Sequence, residues 1–142
     1  MNNTKGGSVT VNGNVDFQGN ANGLFANSGG AVVTVKGGSI VVDAEQEMDY
    51  AAIRAEDGTV NMNVVRNEAG KVTGADNNDV NIKGNVVLST GAANASDIHG
   101  TESAINLGLT TAKSNLTGVV ANYYGDGYTT GSLTFNLSLI HI

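Results

Sequence analysis

Apolar and polar residues alternate in a short phrase that recurs along the chain. It reads Val9-Thr-Val-Asn-Gly-Asn-Val15, then Val33-Thr-Val-Lys-Gly-Gly-Ser-Ile40, Val60-Asn-Met-Asn-Val64 and Val80-Asn-Ile-Lys-Gly-Asn-Val86. Strict alternation is the period of a β-strand with one buried face. The first residues of the phrases are 24, 27 and 20 positions apart. A return at that spacing is the signature of stacked repeats. The pattern predicts an all-β, parallel β-helix (a β-solenoid) of about five to six coils, at about 20–27 residues each, cut at both ends.

Each coil is expected to hold three short strands joined by Gly/Asn corners. Coil one reads Ser8–Val11, Val15–Phe17 and Leu24–Ala26, with corners at Asn12-Gly13-Asn14 and Gly19–Gly23. Coil two reads Val32–Val35, Ile40–Val42 and Ala51–Ala55, and coil three opens at Thr59–Val64. Coil four reads Val80–Ile82, Val86–Leu88 and Ala104–Leu107, and a degenerate fifth follows at 115–120. Stacking would line up Val9, Val33, Val60 and Val80 inside, with Val11, Val35, Met62 and Ile82 beside them. Thr10, Thr34, Asn61 and Asn81 would point outward. Corners this short leave no room for crossover helices, so parallel pairing requires continuous winding.

Composition supports the same picture. There are 20 Gly and 19 Asn, residues that tolerate the positive φ of tight corners, and no Pro. Three Phe, four Tyr and no Trp are few for a sandwich or barrel core. Asn12 and Asn63, and likewise Asn14 and Asn85, hold equivalent repeat positions and are expected to form amide ladders at corners. Three segments read as surface insertions: the acidic 43–49, a hairpin or loop at 66–71, and 90–102. A turn is expected at Gly125-Asp126-Gly127.

Charge and missing residue types narrow the chemistry. Formal net charge is −6, and seven Lys and Arg are scattered without a basic run. That pattern disfavours nucleic acid and anionic membrane surfaces. Without Cys there is no disulfide, thiolate zinc site or thiol nucleophile. No stretch matches a signal peptide or a spanning helix. The last six residues, Leu137-Ser-Leu-Ile-His-Ile142, resemble the in-frame translation of a sequencing adaptor. The expected organisation is therefore a β-helix fragment over 1–136 and an adaptor scar over 137–142 that completes a strand.

The candidate chemistry is sparse. His99 is flanked by Asp97 and Glu102, but no nucleophile elbow accompanies it, and it reads as a solvated loop residue. Asp43, Glu45, Glu47 and Asp49 alternate, with Glu56, Asp57 and Arg54 nearby. Converging in one outer groove, they would suit a polysaccharide lyase or hydrolase; dispersed, they are a solvated insertion and an outward Arg. Asp76-Asn-Asn-Asp79 offers oxygen ligands without the spacing of a calcium loop. Asn94-Ala-Ser96 and Asn115-Leu-Thr117 match glycosylation acceptors by chance in an Asn-rich chain. No catalytic residue, cofactor or metal ligand is assigned.

The Gly/Asn corners, the Val-x-Val-x-Gly-Asn-Val phrase, the lack of Cys and the segments Leu116–Tyr124 and Gly131–Phe135 resemble bacterial autotransporter passenger domains of the pertactin-like type. The likeness covers most of residues 7–136. It implies that the parallel β-helix is right-handed and that the chain is a non-enzymatic module at the bacterial cell surface, an adhesin or a stalk. Its partner would be a host-cell surface, matrix or glycan. Membrane attachment would come only through a separate C-terminal barrel anchored in the outer membrane. A lyase or hydrolase on the same fold, or a phage tail-spike segment, is the alternative.

Overall fold

The computed structural model describes residues 2–4, 7–43, 51–89, 103–110, 112–117, 121–124 and 131–138. They form an all-β structure, and no helix occurs among them. Ten strands make one curled sheet: β1 (Asn2–Thr4), β2 (Ser8–Gly19), β3 (Leu24–Val42), β4 (Ile53–Met62), β7 (Val80–Lys83), β8 (Val86–Ser89), β9 (Ser103–Thr110), β10 (Ser114–Thr117), β11 (Ala121–Tyr124) and β12 (Gly131–Ser138). Every pairing within it is parallel. The remaining two, β5 (Val64–Arg66) and β6 (Val72–Ala75), form an antiparallel hairpin.

The pairings fall into three lines of strands. In the first, Val9 lies beside Val33, Val33 beside Val60, Val60 beside Ile105 and Ile105 beside Leu133. In the second, Phe17 pairs with Ile40, Ile40 with Ile82 and Ile82 with Leu116. In the third, Leu24 pairs with Ile53, Ile53 with Val86 and Val86 with Ala121, while β1 lies on Phe25–Asn27. Along the chain the lines recur in one order: third, first, second. The long strand β3 serves all three and bends between Asn27 and Ala31, where its register with β4 shifts. Such bends curl the sheet back on itself.

Alternation within each line sends one set of side chains inward. Val33, Val35, Ile40, Ile53, Val60, Met62, Ile82, Ile105 and Leu107 are fully or almost fully buried. Val11, Val15 and Phe17 of β2 pack on this core and are only half-buried. Thr10 is exposed, and Thr34 and Asn81 are half-buried on the opposite face, whereas Asn61, expected outward with them, is buried at 4% exposure. Inward and outward sets thus follow the period-two pattern of the sequence.

One expected alignment is corrected. Val80 and Ile82 do not continue the column of Val9, Val33 and Val60. They lie on Gly38 and Ile40 of the second line, and Ile105 and Leu107 occupy the places assigned to them. The fixed order of the lines is the reason: a second-line strand follows each first-line strand, and the β5–β6 hairpin merely fills the corner between β4 and β7. Gly38 marks how closely these strands approach. Its φ is +118°, and a Cβ there would collide with the Val15 backbone.

Candidate functional site

Outward positions on the lines carry amides that bond from strand to strand. Asn106 Nδ2 donates to Asn61 Oδ1 at 3.0 Å, and Asn61 Nδ2 donates to Thr34 Oγ1 at 3.4 Å. On the second line, Asn115 Nδ2 donates to Asn81 Oδ1 at 3.1 Å, and Asn81 Nδ2 donates to Ser39 Oγ at 2.9 Å. Amide ladders do form, but on the outer faces of strands rather than at corners. An Asn between two inward apolar residues (Val60-Asn-Met, Val80-Asn-Ile, Ile105-Asn-Leu) was the sequence signal for them.

The corner residues behave differently. Asn12 is exposed. Asn63 is fully buried, with φ of 56°. Asn tolerates this left-handed conformation better than most residues. Its Nδ2 donates to Gly108 O at 2.8 Å, and its Oδ1 accepts from Asn78 N at 3.0 Å and Asn78 Nδ2 at 3.1 Å. Its carbonyl accepts from Asp76 N at 2.8 Å. Asn63 therefore ties both ends of the hairpin to β9. Asn85 is buried too, and its Oδ1 has no hydrogen-bond partner.

The hairpin expected at 66–71 is present. Asn67 N donates to Lys71 O at 2.9 Å, Lys71 N to Asn67 Oδ1 at 2.9 Å and Gly70 N to Asn67 O at 2.9 Å. Gly70 supplies the positive φ of 81° that the tight turn needs. Between this turn and the outer face of β4 and β9 lies a groove of about 410 Å³. Thr59, Asn61, Ala104 and Asn106 line the sheet side; Gly70, Lys71 and Val72 line the hairpin side. The groove offers an ammonium, two linked amides, a hydroxyl and small apolar patches, and no carboxylate is among the described residues that line it.

Of the acidic candidates, those described lie away from the groove. Asp43 is exposed and faces Lys83 Nζ at 3.6 Å. Arg54 is an outward strand residue, bonded to Glu56 at 2.8 Å and stacked over the Phe25 ring at 5.1 Å. Glu45, Glu47, Asp49, Asn94 and His99, the turn at 125–127, and the side chains of Asp57 and Glu102, lie outside the described residues. The Asp76–Asp79 segment is knit internally: Asp76 Oδ1 accepts from Asn77 N at 2.8 Å, and Oδ2 accepts from Asn78 Nδ2 at 3.2 Å. Asn115, of the second acceptor motif, is committed to its ladder. No three of His, Asp and Glu come together as metal ligands among the described residues.

The groove residues were not singled out in sequence, because a lone Lys in a hairpin and an Asn in a strand carry no catalytic or metal-binding spacing. What joins them is the inserted hairpin. No protein-family model, curated protein or solved structure matches the chain.

Proposed function

We propose that the chain is a non-enzymatic, surface-exposed binding or stalk segment of the autotransporter-passenger type, built as a right-handed parallel β-helix. The three lines would be the faces of that helix, and each passage through third, first and second line would be one coil. The observation that carries this reading is the fixed recurrence of the lines, with inward Val, Ile and Leu columns and a hairpin projecting from one junction. A rigid rod of stacked strands displays loops at a distance, which is what an adhesin or stalk requires.

The ligand-facing element is the groove beneath the hairpin. Its polar groups are held by the sheet and by the bonded turn, so binding there involves little ordering of the protein. The partner would be a host-cell or matrix surface, or its glycans. The test is adherence of the recombinant chain to host cells and immobilised matrix, run beside turnover assays on acidic and neutral polysaccharides. Adherence without turnover is expected. Turnover without adherence would replace this reading with that of a lyase or hydrolase.

A further inference from the structure

We infer that the groove between the β5–β6 hairpin and strands β4 and β9 is a subsite for a carboxylate-bearing glycan, with Lys71 meeting the carboxylate and Asn106 and Thr59 meeting hydroxyls. The inference deepens the proposed binding role and rests on it.

The charge argument comes first. The ion pairs among the described residues are Arg54–Glu56 and Lys83–Asp43, and neither involves Lys71. Lys113 is occupied by the Asn77 carbonyl at 3.1 Å. Among the described residues Lys71 is the one charged residue lining the groove, in a chain whose formal net charge is −6. Its backbone is fixed on both sides by Asn67, so its stem starts from a set position over the sheet. An anionic group entering the groove meets this cation, and no carboxylate is among the described lining residues.

The amides supply the rest. Asn106 is half-used: its Nδ2 donates to Asn61 Oδ1, which leaves its own Oδ1 and second Nδ2 hydrogen for a ligand, while Asn61, only 4% exposed, holds it in place. Thr59 adds a hydroxyl on the neighbouring strand. Neighbouring strands are about 4.8 Å apart, close to the rise of one pyranose in an extended polysaccharide. Successive sugars running across the strands would therefore pass from Asn106 on β9 to Thr59 on β4. Ala104 and Val72 give small apolar contacts for ring C–H groups. A peptide would need unpaired strand edges or deep apolar pockets, and the groove supplies neither.

Isothermal titration calorimetry with a linear glucan oligomer and the same oligomer oxidised to its uronate tests this. The uronate is expected to bind about tenfold more tightly at low salt, as for a charge-assisted hydrogen bond. Lys71→Gln should abolish that difference, and Lys71→Arg should keep it. Asn106→Ala should weaken both ligands alike, with far-UV circular dichroism confirming an intact sheet for each variant. Equal affinity for the two oligomers, or an unchanged preference in Lys71→Gln, overturns the inference. If neither oligomer binds while the chain still adheres to cells, this subsite is refuted and the adhesive reading stands. If adherence is lost as well, both fall.

Discussion

Replacing Asn63 by Ala should be among the most damaging single changes outside the apolar core. Three losses add. The buried Gly108 carbonyl loses its donor at 2.8 Å, and an orphaned buried acceptor costs about 1–3 kcal/mol. Asn78 loses the acceptor for its N–H and its side-chain amide. Asn78 is half-exposed, so water recovers part of that, and the net is about 0.5–1.5 kcal/mol. Finally, φ of 56° is unfavourable for Ala by about 1–2 kcal/mol. The expected loss is about 2.5–6.5 kcal/mol, a large share of the roughly 5–15 kcal/mol usual for a domain. Asn63→Gly removes the same bonds but not the backbone freedom, so it should be milder than Ala by about 1 kcal/mol. Equilibrium urea unfolding followed by circular dichroism reads both differences. An Ala variant within about 0.5 kcal/mol of the parent, or a Gly variant no milder than Ala, would refute the argument that this one side chain anchors the hairpin.

Other outcomes test separate parts of the structure. Val60→Asp buries an unpaired carboxylate in a side chain position with 0% exposure and should prevent folding, whereas Thr10→Asp, exposed on β2, should change stability by no more than about 0.5 kcal/mol; similar melting curves for the two would overturn the inward and outward assignment. Gly108→Ala drives a Cβ into the Asn63 carbonyl and to 3.1 Å from Ala75 Cα; a loss of about 1–3 kcal/mol is expected, and it should be strongly non-additive with Asn63→Ala in a double-mutant cycle. Among the described strands β2 pairs with β3 alone, and over Ser8–Gly19 it carries one charge, Asp16, and no Pro. Sedimentation velocity should therefore show concentration-dependent association, relieved by Asn12→Lys on that edge; a sharp monomer boundary at high concentration would contradict it.

The strands were legible because alternation is a strong local signal. Val9, Val33 and Val60 sit side by side as their shared phrase requires. Alternation says which face a residue takes but not which line its strand joins. Val80-Asn-Ile repeats the phrase well enough to pass for the first line. The fixed order of the lines places it on the second, and the hairpin between Met62 and Val80, longer than any other described corner between these lines, hides that order in the sequence. The Asn ladders show a related limit. Abundant Asn suggested stacking, but the corner Asn63 is committed to Gly108 and Asn78, while strand residues Asn61 and Asn106 stack. Partners 45 residues apart leave no local trace. The groove was invisible for the same reason: Lys71 and Asn106 acquire joint meaning only when the turn folds over the sheet.

The order in which strands find partners carries a consequence for how such a chain is completed. Leu24 meets Ile53, Ile53 meets Val86 and Val86 meets Ala121, so each newly added segment docks on the one just finished and none waits for the far terminus. A chain with this pairing order can acquire structure strand by strand from one end, each segment finding its partner already in place.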